Sequence, residues 1–322
     1  MKKVTIIGGG ASGFFAAINI KEKNPNVDVL ILEKSREVLQ KLKVSGGGRC
    51  NLTHACFDPS ELVTFYPRGQ KELLGAFYRF MTGDTFQWFE DHGVELKIEE
   101  DGRAFPSSDS SQTIIDCYTD LAKKYGIEVR RNHRVDSIYQ DGEEWVAVCD
   151  KGSFRTDKLI VASGGSRSIW KILKSLNCVI VDPVPSLFTF TIKDPRIKQL
   201  SGVAAPQAIV KMVGTKLESS GPVLITHWGL SGPAILRLSA FAAVELAKQD
   251  YRFDIEVNWL GQSYEQVLET LLELKETQPR KTIGLKSYFE GLSKRLWASL
   301  LEAVDIDHNK NWADLSKVKL PL

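Results

Sequence analysis

The first thirteen residues constrain this chain more than any other stretch. Val4-Thr5-Ile6-Ile7 has strand character and runs straight into Gly8-Gly9-Gly10-Ala11-Ser12-Gly13, and Phe14 to Ile20 then has helical composition. The glycines stand at Gly8-x-Gly10-x-x-Gly13, the spacing at which a strand–turn–helix accepts a dinucleotide. Gly8 permits the tight turn, Gly10 lets backbone N–H groups approach a pyrophosphate, and Gly13 lets the helix lie close to the strand. A phosphate at Ala11 and Ser12 would meet unpaired N–H groups and the positive end of the helix dipole. A second apolar run, Val27 to Leu32, ends in Glu33, twenty positions after Gly13, with Lys34 beside it. An acid there is placed to accept hydrogen bonds from a ribose diol.

The rest of the chain sets limits on what surrounds this turn. At 322 residues it exceeds one compact core, so two or three domains are expected. Forty-two basic and 40 acidic residues give +2, which argues against electrostatic capture of nucleic acid or an anionic membrane. Met1-Lys2-Lys3 before an apolar stretch imitates a secretory signal, but three consecutive glycines cut the run. No apolar stretch reaches the length of a membrane span. Cys50, Cys56, Cys117, Cys149 and Cys178 are scattered without a C-x-x-C pair, which predicts no metal site and a reduced, cytoplasmic protein.

Three further segments carry candidate chemistry. A short polar helix, Arg36 to Lys43, precedes Ser45-Gly46-Gly47-Gly48-Arg49-Cys50-Asn51, which is poor helix and poor strand. Its backbone donors are free to approach a ligand, and Arg49 offers a positive fork for phosphate or a flavin oxygen. Residues 58–96 read as helical, with aromatics assigned to the core. Gly102-Arg103-Ala104-Phe105-Pro106 reads as a stiff hairpin-like element with Arg103 a candidate for the substrate side. After a helix from Ser111 to Tyr125 come strands at Ile127–Arg131, Arg134–Gln140 and Trp145–Asp150, the last two joined by Asp141-Gly142. Lys158 to Ala162 is a buried strand that ends in a second glycine turn, Ser163-Gly164-Gly165. A meander crossover followed by a late glycine turn favours an FAD domain of the glutathione-reductase type over a plain NAD dehydrogenase.

Prolines at 183, 185, 195 and 206 mark a change of domain. Short strands then fill residues 187–226, and Thr226-His227-Trp228-Gly229-Leu230-Ser231-Gly232-Pro233 forms a loop before a helix from Ala234 to Gln249. Ser231 is the expected N-cap and Pro233 fits the first turn. That helix start, with Gly232, could face an anionic group such as the flavin N1–C2=O region. His227 is the candidate polar group over a flavin. From Ser263 onward the chain reads as helical.

With these residues in view, the sequence resembles the bacterial FAD-dependent flavoproteins grouped as aminoacetone-oxidase-like or BaiN-like. The matching segments are Ile7–Gly13, Ser45–Asn51, Gly102–Pro106, Val161–Gly165 and Thr226–Pro233, and they span nearly the whole chain. The resemblance implies an α/β fold: an FAD-binding Rossmann domain, an inserted β-barrel-like domain, and a small helical domain. The expected bounds are 1–186, 187–260 and 261–322. It also implies that Gly8 to Gly13 hold the FAD pyrophosphate and Glu33 the ribose, that the backbone around Val135 meets the adenine, and that Ser45–Asn51 lies along the cofactor. Members of that family return to the FAD domain with a last strand and a glycine-rich turn. Here the sequence stops at Leu322, so a shortened member lacking that segment is expected.

The function expected is that of an FAD-dependent oxidoreductase acting on a small molecule, an amine or an enone-like acceptor, with NAD(P)H one source of electrons. No nucleic acid or membrane partner is expected, and the oligomeric state is open. Two alternatives stand beside it: a flavoprotein fold that has lost an intact cofactor site and serves in binding, and an NAD(P)-dependent dehydrogenase using Gly8 to Gly13.

Overall fold

The computed structural model describes residues 1–315. The chain divides between Asp182 and Pro183 into two compact units. In the first, β1 (Lys3–Ile7), α1 (Ala11–Lys23) and β2 (Asp28–Leu32) form the opening βαβ. The short α2 (Gln40–Val44) follows, then an insertion built of β3 (Thr53–His54), α3 (Pro59–Leu62), α4 (Gln70–Phe77), α5 (Thr82–Asp91), β4 (Leu96–Ile98) and β5 (Arg103–Pro106). The chain returns through α6 (Ser111–Lys124) to β6 (Glu128–Arg130). A meander, β7 (Val135–Asp141), β8 (Glu144–Cys149) and β9 (Gly152–Thr156), leads into β10 (Lys158–Val161) and α7 (Arg167–Ser175).

The central sheet is parallel, in the order β10-β1-β2-β6, with Ile6 registered against Ile160 on one side and Ile31 on the other. Val4 to Ile7 are all buried, as a parallel strand covered on both faces requires. One face packs against α1 and α6 through Phe14, Ala17, Ile18, Ile114, Tyr118 and Leu121. On α1 the buried residues Phe14, Ala17 and Ile18 recur at i, i+3 and i+4, the stripe an amphipathic helix needs. The other face is covered by the meander and α7, where Ile7 and Leu32 meet Val135, Ile138, Ala147 and Ile169.

Three elements differ from the sequence reading. The meander has a third strand, β9, that the sequence reading lacks, while residues 128–130 join the parallel sheet beside β2. The expected helical stretch 58–96 is broken: Gly69 caps α4 at φ 81° and Met81 caps α5 in extended conformation. The polar helix expected over 36–43 starts only at Gln40, because Leu39 takes a left-handed conformation (φ 57°) and donates its N–H to Gly9 O.

The second unit is an antiparallel sheet in the order β11-β14-β13-β12-β15, from β11 (Phe190–Thr191), β12 (Ala204–Met212), β13 (Glu218–Ile225), β14 (Gly229–Ser231) and β15 (Ile255–Asn258). Two helices, α8 (Pro233–Phe241) and α9 (Ala243–Lys248), link β14 to β15, and α10 (Tyr264–Thr277) and α11 (Lys294–Ala303) follow. Ser263 and Gln266 form a capping box at the start of α10. Sheet and helices share one core: Val210, Val223 and Ile225 cluster with Ile235, Leu271, Leu296, Trp297 and Trp312. The division expected at 260/261 is therefore a finer partition than this one. Among the described residues no helix is long and apolar enough to cross a membrane.

The β1–α1 turn leaves no room for side chains at two of its glycines. A Cβ on Gly13 would lie 2.0 Å from Gly8 O, and Gly13 is itself in the helix. Gly13→Ala should therefore push α1 off β1 and cost about 1–3 kcal/mol. The thermal melt of the purified variant should fall by about 2–4 °C for each kcal/mol lost.

Candidate functional site

The carboxyl ends of β1, β2 and β10 lie side by side, and a cleft of about 880 Å³ opens at them. In open α/β sheets this is where ligands bind. Its walls are residues 8–12 after β1, residues 33–35 after β2, residues 162–166 after β10, and Ser45 with residues 50–52 from the glycine loop. A smaller cavity of about 50 Å³ shares Gly8, Glu33, Lys34 and Ser163 with it and adds Val135 and His133.

Backbone geometry explains each glycine of the first turn separately. Gly8 has φ 118°, and a Cβ there would lie 2.4 Å from Ala162 O, so the β1 and β10 turns touch backbone to backbone. Gly13 closes the helix onto this turn. Gly10, by contrast, has nothing within 4 Å of where its Cβ would be, so its open side belongs to the cleft. It is the N-cap of α1, no side chain caps the helix, and the first turn carries no acid. The first N–H groups of α1 therefore have no intrahelical acceptor and favour an anion.

Glu33 is fixed by two backbone donors. Gly9 N–H reaches Oε2 at 2.8 Å and Ser35 N–H reaches Oε1 at 2.8 Å. Each carboxylate oxygen keeps a second lone pair, so the group can still accept from a diol. Lys34 and Lys41 add positive charge to the walls, and Lys41 Nζ lies 3.6 Å from the Cβ position of Gly164. Away from these charges the cleft is aromatic, with Phe15, Phe80, Phe89 and Tyr118 in its wall. Burial pushes the Tyr118 phenol well above its usual range. It pushes the Cys50 thiol up to about 11, so Cys50 is a neutral lining group at pH 7 and not a nucleophile.

The glycine loop is held in an unusual shape. Gly46, Gly47 and Gly48 have φ of 57°, 69° and 89°, and Cys50 follows at 63°. A Cβ on Gly46 would lie 2.6 Å from Asn51 N and 3.0 Å from the Phe105 ring. Arg49 places its guanidinium 4.1 Å from the Phe105 ring centroid and its Nη1 2.5 Å from Glu99 Oε1. Arg103 engages Asp101 at 2.7 Å and the other oxygen of Glu99 at 3.1 Å.

Of the sequence-derived candidates, Gly8, Gly10, Ala11, Ser12, Glu33, Lys34, Ser45, Cys50, Asn51, Ser163, Gly164 and Gly165 all line the cleft, and Val135 lines the adjoining cavity. Gly13, Gly46, Gly47, Gly48, Arg49 and Arg103 are outside that lining. Gly13 packs against β1, the three glycines shape the loop, and both arginines are held by Glu99. His227, Ser231 and Gly232 belong to the second unit. There His227 is exposed in the β13–β14 turn, Ser231 ends β14, and Gly232, not Ser231, is the N-cap of α8 at φ 101°. Leu39, Lys41 and the aromatic wall were missed. Lys41 carried a signal in the short basic helix, but apolar periodicity cannot distinguish Phe80 and Phe89 in a cleft wall from the same residues in a core.

Comparison with known proteins follows the two units. A family described as "HI0933-like protein Rossmann domain" matches residues 2–173, and one described as "HI0933-like protein barrel and H2TH domain" matches residues 184–321. A 3-dehydro-bile acid delta(4,6)-reductase of Clostridium scindens is 26% identical over 253 residues, covering 76% of this chain and 61% of that protein. A ribosomal RNA dihydrouridine synthase of Escherichia coli is 29% identical over 247 residues, covering 73% and 60%. A protein of the same name from Haemophilus influenzae is 26% identical over 300 residues, covering 87% and 72%. The chain thus spans about three fifths of the length of the first two.

Proposed function

The chain belongs to the HI0933-like family of FAD-dependent flavoproteins, and from that premise we propose that it binds FAD in the cleft of its first unit and works as a reductase of carbon–carbon double bonds conjugated to a carbonyl. The observation that carries the binding half is the open space at Gly10 beside an uncapped helix start, with Glu33 already oriented at the next strand end. The residues present fit the group. The N–H groups of Gly10, Ala11 and Ser12 suit the pyrophosphate, Glu33 the ribose, and the backbone at Val135 the adenine. Ser45, Asn51 and residues 163–165 would bound the remainder of the cofactor, and the aromatic wall would keep water from it.

When bound, FAD supplies hydride transfer; the protein supplies orientation and electrostatics. The uncapped start of α1 neutralises phosphate charge, and Glu33 fixes the ribose end. In the second unit the α8 start at Gly232, with Ser231 before it, has N–H donors that suit an anionic or electron-rich group. His227, exposed and without a hydrogen bond among the described residues, is the second unit's candidate polar group. Arg103 is the proposed substrate-side cation, and it must loosen from Glu99 and Asp101 to act so.

The reaction class rests on the relatives' names. A delta(4,6)-reductase of a 3-oxo steroid acid and a dihydrouridine synthase both saturate a C=C bond conjugated to a carbonyl. An enone-like acceptor therefore suits this chain better than an amine donor, with NAD(P)H as the proposed reductant. The test is anaerobic. Protein-bound flavin reduced with dithionite should be reoxidised by a cyclic enone at least about tenfold faster than by a uridine oligoribonucleotide. Bleaching of the oxidised protein by a small amine, with no reoxidation by the enone, would overturn the assignment.

The binding half predicts a separate outcome. Gly10 has φ −91° and ψ −177°, extended backbone that any residue adopts. Gly10→Val should melt within about 3 °C of the parent. Its branched side chain enters the cleft, so FAD affinity measured by fluorescence titration should fall at least about tenfold, roughly 1.4 kcal/mol.

A further inference from the structure

We propose that the second unit carries a binding site for an amphipathic carboxylate: an apolar body held between β15, α10 and α11, and a carboxylate met by Arg196, Lys198 and Arg295. This site is independent of the FAD cleft and of the reaction proposed for it.

The apolar half is a cavity of about 840 Å³. Trp259, Leu268, Phe289, Trp297 and Leu300 give its walls their character. Its size falls within the 300–1,000 Å³ of small-molecule sites, and so does its composition, mostly apolar and aromatic with few polar groups. Several wall residues, among them Trp259, Leu268 and Leu300, are only partly buried although they pack against the main core of the unit. Apolar surface left in a concave, roomy place is surface that a ligand can remove from water.

The polar half adjoins it. A second cavity of about 650 Å³ shares Pro195, Arg196 and Ala303 with the first and adds Lys198, Arg295 and Ser299. Arg196 is held in place: its Nε and Nη2 bond both oxygens of Asp194, at 2.6 to 3.2 Å, and its backbone carbonyl accepts from Ser299 Oγ. Nη1 makes no hydrogen bond among the described residues, so a pre-oriented donor edge remains for a ligand oxygen. Arg295 donates to Gln199 O, and neither it nor Lys198 has an ion pair among the described residues. With Arg196 balanced by Asp194, the two free cations face one acid of this wall, Glu302. The balance is positive, next to an apolar chamber, and that pairing selects an anion with an apolar tail over a free anion or a neutral hydrocarbon.

Calorimetric titration of the full chain with decanoate, beside decan-1-ol as the uncharged analogue, tests the assignment. Decanoate should bind one per chain and at least tenfold more tightly than the alcohol. Lys198→Glu changes an exposed side chain and should weaken decanoate at least tenfold while leaving the alcohol unchanged. Leu268→Trp should fill the chamber and abolish binding of both; if it fails to fold, the Lys198 variant decides. Equal affinity for acid and alcohol, unchanged affinity in Lys198→Glu, or no binding of decanoate to the folded chain would each overturn the proposal.

Discussion

At the end of β1 the chain turns where there is no room for a side chain. The β1 turn touches the β10 turn through Gly8 and Ala162 O, and α1 touches the β1 turn through Gly13 and Gly8 O. These contacts bring three strand ends and one helix start within reach of each other. Without the first, β10 could not deliver Ser163 and Gly164 to the cleft. Without the second, α1 would tilt and its N–H groups would no longer point at the space beside Gly10. Glu33 is tied into the same arrangement through Gly9 N–H, so the acid is fixed by the turn it serves. Parallel pairing on both sides of β1 makes the arrangement rigid, because every residue from Val4 to Ile7 is buried.

A second constraint shapes the opposite wall. Three successive glycines and Cys50 in left-handed conformation form a loop that few sequences would adopt, since each such non-glycine residue costs of order 1–3 kcal/mol. What offsets this is contact. Cys50 is buried in the main core, its N–H bonds Ser45 O, and Arg49 covers Phe105 while holding Glu99. Arg49 thus anchors the loop to the β4–β5 hairpin, and the polar groups that reach the cleft are those on either side of it, Ser45 and Asn51. This division of labour within one motif explains why a charged residue in the middle of a ligand-facing loop is turned to the scaffold.

The parts of this design that rest on local backbone chemistry were legible in the sequence. Gly8, Gly10 and Gly13 announced the turn, Glu33 the strand end, and Ser163-Gly164-Gly165 the third wall. What escaped depended on distant partners. Arg49 reads as a ligand fork until Glu99, fifty residues on, is seen to hold it. Residues 152–156 do not read as a strand, because only pairing with β8 marks so short and polar a segment as one. Ser231 reads as a cap, yet β14 extends through it and leaves Gly232 to start the helix. The aromatic wall at Phe80 and Phe89 followed apolar periodicity, which reports burial and not what a residue is buried against.

Hydrogen–deuterium exchange of the full chain with and without saturating FAD tests the central claim most directly. Bound FAD should slow exchange together in residues 8–12, 33–35, 50–52 and 163–166, segments far apart in sequence that the cleft unites. Unchanged exchange in all four segments, in a chain that melts cooperatively, would contradict the account.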